Sequence, residues 1–289
     1  MKLLLLSLTL TSALLAQAPF QVKVSGHGKP MILIPGLSSS GETWDTTVAR
    51  YQDRFECHVL TVAGFAGVPR VPGPVLERVR EGLADYIRKN KLDKPVIVGH
   101  SLGGFVALDL AAKYPDLPGK LVIVDAYPFF AGIADPDETP QRAKEMVAGM
   151  RQYYDSQDQD MYERMTKSGI ATRIMVTKDS DLDRLIAWGL KSDRTAAADA
   201  MCELFSADLR DEVAKIKSRT LVLGAWIGYK GYTDHARTEA NLRRQYAKLA
   251  GVEIQITDTA RHFIMWDDPE WMFGHLDRFL ELTKPVPAR

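Results

Sequence analysis

Two cysteines in 289 residues, Cys57 and Cys202, are too few for a disulfide framework, and neither has a partner at metal-ligand spacing. Cys57 falls in a strand-like run and Cys202 in a helical one, so a buried free thiol is the expected state of each. Charge of one sign is also missing. The 37 Lys and Arg residues balance 37 Asp and Glu, so no net field draws the chain to nucleic acid or to an anionic lipid surface. No dinucleotide fingerprint, phosphate-binding glycine loop or metal-ligand cluster is present, and neither a cofactor nor a metal is expected. Internal repeats and low-complexity tracts are absent as well.

Long hydrophobic runs are lacking but for one. Residues 3–15 are apolar, relieved only by Ser and Thr. A run this short falls below the ~20 residues a membrane span needs. Met1-Lys2 puts a positive charge before the run, and Ala16-Gln17-Ala18 follows it with small residues. The pattern is that of a secretory leader over 1–18, cleaved near Ala16 or Ala18. An exported protein, periplasmic or secreted, without a stable membrane anchor is therefore expected. No cysteine follows the run to carry a lipid.

What remains is rich enough for a real core, with 46% hydrophobic residues. Strand and helix patterns alternate along it. Residues 20–24, 31–34, 57–62, 96–98, 119–125, 220–224 and 252–256 read as strands, and 43–55, 75–90, 104–114 and 268–282 as helices. Such alternation predicts an α/β fold with a mostly parallel sheet covered by helices on both faces. The stretch 127–208 breaks the alternation. Helical patterns dominate it (141–150, 158–168, 181–191, 195–205), as expected of a helical cap inserted between core segments 19–126 and 209–289. Of its bulky residues Tyr153, Tyr154, Met161, Tyr162, Met165, Met175 and Trp188, one or two are expected to line an acyl pocket.

Gly99-His100-Ser101-Leu102-Gly103 carries the most information. It follows the β-branched run Pro95-Val96-Ile97-Val98 and opens a helical stretch. Gly-x-Ser-x-Gly alone is weak, since a chain of this length contains roughly 0.1 chance matches at average residue usage. On a strand-to-helix turn it is far more specific, because the turn lifts the serine hydroxyl clear of the sheet. The second anchor is His262, in Thr259-Ala260-Arg261-His262-Phe263, between the last strand and the last helix. There a loop hangs an imidazole over the carboxyl edge of the sheet, where it can take and return the serine proton. The other five histidines, His27, His58, His100, His235 and His275, read as structural or exposed.

These segments, together with Pro35-Gly36-Leu37 and Ala63-Gly64-Phe65-Ala66-Gly67, resemble the α/β-hydrolase superfamily over nearly the whole chain after the leader. The resemblance implies that Ser101 attacks an acyl carbon, that His262 serves as base and then acid, and that the backbone N–H groups of Leu37 and Leu102 hold the oxyanion. In the third member the chain departs from the commonest pattern. The segment after the next-to-last strand, Gly224-Ala225-Trp226-Ile227-Gly228-Tyr229-Lys230-Gly231, holds no carboxylate. Asp234, 28 residues before His262, would sit in an enlarged loop, whereas Asp125 ends the strand after the motif helix. Both satisfy the order Ser, Asp, His, and Asp125 is preferred because a strand end holds an orienting carboxylate more rigidly.

The implied activity is hydrolysis of a small or medium carboxylic ester through an acyl-enzyme, the partner being a small-molecule ester or amide. Alternatives are an aminopeptidase or amidase of the same fold, or a non-catalytic ligand-binding protein on a hydrolase scaffold. An aminopeptidase would need acidic residues such as Glu138, Glu145, Asp155 or Asp158 to hold a free amine. Oligomeric state has no signature in the sequence.

Overall fold

The computed structural model describes residues 18–282. All but Ala18 of the leader expected over 1–18 lies outside them. The described chain opens with β1 (Phe20–Gly26) and β2 (Lys29–Ile34), then α1 (Asp45–Tyr51), β3 (Phe55–Val62), α2 (Val75–Lys89), β4 (Val96–His100), α3 (Leu102–Lys113) and β5 (Lys120–Val124). Four helices follow, α4 (Pro140–Ser156), α5 (Gln159–Ser168), α6 (Asp179–Lys191) and α7 (Arg194–Ser206). Then come β6 (Arg219–Ala225), α8 (His235–Gln245), β7 (Glu253–Thr257), the single turn α9 (Ile264–Asp267) and α10 (Pro269–Phe279).

The seven strands form one sheet in the order β1-β3-β2-β4-β5-β6-β7. Only β1 runs antiparallel, against β3; every other neighbouring pair is parallel. Side chains alternate across the sheet with the period of two that a strand imposes. Ile32, Ile34, Ile97, Leu121 and Ile123 join the core beneath α2, α3 and α8. Met31, Leu33, Val98, Val122 and Val124 join the opposite core beneath α10. With helices on both faces, the central strands read as unbroken apolar runs, and α3 is buried nearly all round.

Most expected elements shift by a few residues at their ends, and two differences are larger. The first covering helix ends at Tyr51, not residue 55, because Phe55 already begins β3 opposite Lys29. Residues 235–245, to which the sequence patterns assigned no element, form α8, which buries Leu242 and Gln245. Both cysteines are buried free thiols, and burial pushes the Cys57 thiol up to about 11. Among the described residues, no helix is long and apolar enough to cross a membrane.

The four helices between β5 and β6 are tied to the sheet at the junction of α6 and α7. Gly67 N–H donates to the Lys191 carbonyl at 3.0 Å, Ala66 N–H to the Ser192 hydroxyl at 2.9 Å, and Asp193 N–H to the Gly64 carbonyl at 2.7 Å. Trp188 on α6 packs on Trp266 of α9 with ring centroids 5.7 Å apart. By contrast, α4 buries only Ala143 and α5 buries nothing, so these two helices form the outer layer.

Candidate active site

β4 ends at His100 and α3 begins at Leu102, so the chain turns from strand to helix on Ser101 alone. The turn is strained, with Ser101 at φ 54° and ψ −121° in a region that L residues rarely adopt. Close packing demands it. A Cβ on Gly99 would collide with the Gly103 carbonyl, and one on Gly103 with the Ile34 carbonyl. Only glycine at both positions lets β4, α3 and the end of β2 approach this closely. Ser101 N–H extends the sheet ladder by one bond, to the Val124 carbonyl at 3.0 Å.

The segment after β2 passes directly beside this turn. A Cβ built on Gly36 would lie 3.1 Å from His100 Nδ1 and 3.3 Å from Ser101 Cβ. Leu37, the next residue, and Leu102, the first of α3, have backbone N–H groups that donate to no acceptor among the described residues. Two free donors beside one serine, one of them at a helix N-terminus, make a site suited to developing negative charge.

Asp125 lies one residue beyond β5. Its N–H donates to the Leu223 carbonyl at 2.7 Å, and its φ of 46° is again left-handed. The carboxylate is 5% exposed and held at both oxygens. Ala225 N–H donates to Oδ1 at 2.9 Å, and His262 Nδ1 lies 2.5 Å from Oδ2. Donation by Nδ1–H leaves Nε2 as the basic nitrogen of His262.

Asp234 is elsewhere. It caps α8 by accepting from Arg237 N–H at 2.8 Å, and its side chain is 57% exposed beside the Arg237 guanidinium. The enlarged loop expected around it is cut short by that helix. No hydrogen bond joins the Ser101 hydroxyl to the His262 ring; bonds of this kind often tighten only in the complex with substrate.

The His262 loop is held from several sides. Arg261 N–H donates to Asp267 Oδ2 at 2.9 Å, Phe263 N–H to the Met175 carbonyl at 3.2 Å, and His100 Nε2 to the His262 carbonyl at 3.1 Å. Of the bulky residues of 127–208, Met175 thus meets the His262 loop through its main chain. Trp188 instead packs on Trp266, which stacks on Phe263 at 4.5 Å, while Tyr153, Met161 and Met165 are exposed.

Sequence reasoning read His100 as structural or exposed, and it is buried here; Tyr127 and Tyr229 were given no place at the site. Burial, and then the charge of Asp125, push the Tyr127 phenol up strongly and the Tyr229 phenol up to about 12, so both stay neutral donors. Neither hydroxyl has a partner among the described residues. The carboxylates considered for an amine are committed to other groups: Glu138 to Arg142, Glu145 to Gln141, Asp155 to Arg151, and Asp158 to the N-terminus of α5. Among the described residues, no group of three or more His, Cys, Asp and Glu side chains is arranged to hold a metal ion.

Comparison with known proteins places these features in context. The model of a family described as "Alpha/beta hydrolase family" matches residues 31–274. The pimeloyl-[acyl-carrier protein] methyl ester esterase of Vibrio cholerae is 32% identical over 109 residues, which are 38% of this chain and 41% of that esterase. The match therefore spans about two fifths of that relative. The esterase of the same name from Aeromonas hydrophila is 24% identical over 260 residues, covering 88% of this chain and 96% of its own. Among solved structures, the enol-lactonase from Burkholderia xenovorans superposes with a TM-score of 0.73 at 18% identity, over 91% of this chain and 96% of that one.

Proposed function

Because the chain belongs to the alpha/beta hydrolase family, we propose that this hydrolase is an exported serine esterase that cleaves a small or medium carboxylic ester through an acyl-enzyme. The observation that carries the reading is the pairing of a strained Ser101 at the strand–helix turn with an imidazole whose Nδ1 lies 2.5 Å from buried Asp125. The names of the relatives, a methyl ester esterase and an enol-lactonase, support carboxylic-ester chemistry.

In this reading Ser101 Oγ attacks the ester carbonyl carbon as His262 Nε2 takes its proton. The carbonyl oxygen becomes an oxyanion held by the N–H groups of Leu37 and Leu102. Losing one such donor costs ~2.7–4 kcal/mol of transition-state stabilisation. Collapse of the tetrahedral intermediate expels the alcohol, which leaves with the proton from His262. Water, deprotonated by the same Nε2, then attacks the acyl-serine, and collapse of this second intermediate releases the acid as His262 returns the proton to Ser101 Oγ. Asp125 stabilises the transient imidazolium and fixes its tautomer. The helices α4–α7 act as a cap that limits substrate size and excludes bulk water.

The test is to label purified protein with a fluorophosphonate and locate the adduct by mass spectrometry, beside hydrolysis of p-nitrophenyl acyl esters. An adduct on Ser101, with turnover lost in Ser101→Ala, is expected. Equal turnover by Ser101→Ala would overturn the mechanism. Export rests on the leader pattern of residues 1–18. N-terminal sequencing of protein from the periplasm or medium should begin after Ala16 or Ala18.

A further inference from the structure

We propose that His100 is a positioning residue that sets His262 against Ser101, an inference that rests on the serine-esterase reading above. His100 immediately precedes Ser101 and is 0% exposed. Burial pushes its ring well below the usual 6.5, and the charge available on His262 pushes it the same way, so it is neutral.

A neutral imidazole has a single N–H, and the bond to the His262 carbonyl shows where it is. The carbonyl can only accept, so the proton sits on Nε2, 3.1 Å away. Nδ1 then carries a bare lone pair. It is sealed, without a partner among the described residues, against the backbone at Gly36. A buried, unpaired acceptor is unfavourable, and an apolar side chain of similar size would avoid it. Core packing therefore gives no account of an imidazole at this position, whereas the bond from Nε2 does.

The ring also braces its neighbours. Its centroid lies 4.5 Å from those of both His262 and Phe263. One side chain, covalently adjacent to the nucleophile, thus holds both the main chain and the ring of the base. Ser101 and His262 share no hydrogen bond of their own; Asp125 holds the His262 ring at Nδ1, and His100 ties the main chain of the same residue to the strand that carries Ser101. It touches no reacting atom, and its effect belongs in kcat, through the alignment of Nε2 with the serine hydroxyl.

Two variants of like polarity test this. His100→Gln can place an amide N–H near the former Nε2 position, while His100→Asn reaches only about as far as Nδ1. kcat and KM are measured on a p-nitrophenyl acyl ester, with active sites counted by fluorophosphonate titration and folding followed by thermal melting. The Asn variant should lose on the order of 10- to 100-fold in kcat per titrated site at little-changed KM, as expected for a misplaced catalytic group. The Gln variant should recover most of that loss. Equal kcat in Gln, Asn and wild type overturns the inference, and so does an equal loss in both variants, since neither would depend on the donor. Ser101→Ala run in parallel separates the two levels. If it is inactive, equal rates in the His100 variants sink the positioning role alone; if it is active, the esterase reading falls and this role with it.

Discussion

His262 Nδ1 lies 2.5 Å from Oδ2 of Asp125, although 137 residues separate the two in the chain. The other carboxylate oxygen takes the Ala225 N–H, so the acid is anchored to the neighbouring strand while it holds the imidazole. Asp125 and Ser101 both have left-handed backbones, and they end adjacent parallel strands. Strain of roughly 1–3 kcal/mol per residue is typical of such conformations, and it persists only where the surroundings over-determine it.

Replacing the acid should therefore affect turnover far more than stability. Asp125→Asn keeps an acceptor for Ala225 and suits a positive φ, so the fold should survive. The His262 tautomer should not, and kcat should fall on the order of 10⁴-fold. Asp234→Ala should leave kcat unchanged and cost about 1 kcal/mol through loss of the α8 cap. Kinetics and urea denaturation of the pair check both; a turnover loss confined to Asp234→Ala would reverse the assignment.

The elbow glycines give a prediction of the opposite kind. Gly99→Ala and Gly103→Ala each drive a methyl group into a backbone carbonyl that cannot swing aside. Each should destabilise the protein by at least about 1–3 kcal/mol, the range for overpacked sites. Gly149→Ala, whose Cβ would meet nothing within 4 Å, is the control. Denaturation midpoints of the three variants separate a specific backbone collision from a general intolerance of added bulk.

Acid should weaken the fold through His100. Its folded pKa lies well below 6.5, so below about pH 6.5 the unfolded chain takes up a proton that the folded chain refuses. The stabilisation is complete above that value and is lost as pH falls from it toward the folded pKa, at up to ~1.4 kcal/mol per pH unit. Stability against pH should fall less steeply in His100→Gln than in wild type; the part that remains includes His275, whose pKa burial also lowers.

Trp188 is expected to matter for the hold of α6 on the sheet. It packs on Trp266, and the Arg184 guanidinium carbon lies 5.2 Å from the Trp188 ring centroid and 4.7 Å from that of Trp266. Trp188→Ala should cost about 3–5 kcal/mol, as for other buried aromatic truncations. Because Trp266 stacks on Phe263 beside His262, kcat/KM should fall as well. Trp188→Phe should restore most of both, as read by denaturation and steady-state kinetics.

The elements that were legible from sequence share one physical trait. Each is marked by a short local pattern, an apolar run in the central strands and an apolar period in α2, and the Gly-x-Ser-x-Gly turn is punctuated by residues within five positions of one another. α8 escaped notice because its apolar positions are sparse, with much of its surface polar, and because Asp234 was weighed as a loop acid rather than as a helix cap. Tyr127 and Tyr229 carry no local pattern that marks a phenol as the neighbour of a buried carboxylate.

By itself the sequence determined the alternation of strand and helix, the stretch of helices between β5 and β6, and the candidate pair Ser101 and His262, since all of these follow from local periodicity, local turn chemistry and chain order. Which carboxylate stands at His262, and which side chain bonds to the His262 carbonyl, was decided only in three dimensions. Chain order admitted Asp125 and Asp234 equally. The parallel stacking of β4, β5 and β6 brought one of them within hydrogen-bond distance of the imidazole and left the other to cap a helix. The same stacking set His100 beneath the His262 loop, a contact across 162 residues that no local rule encodes.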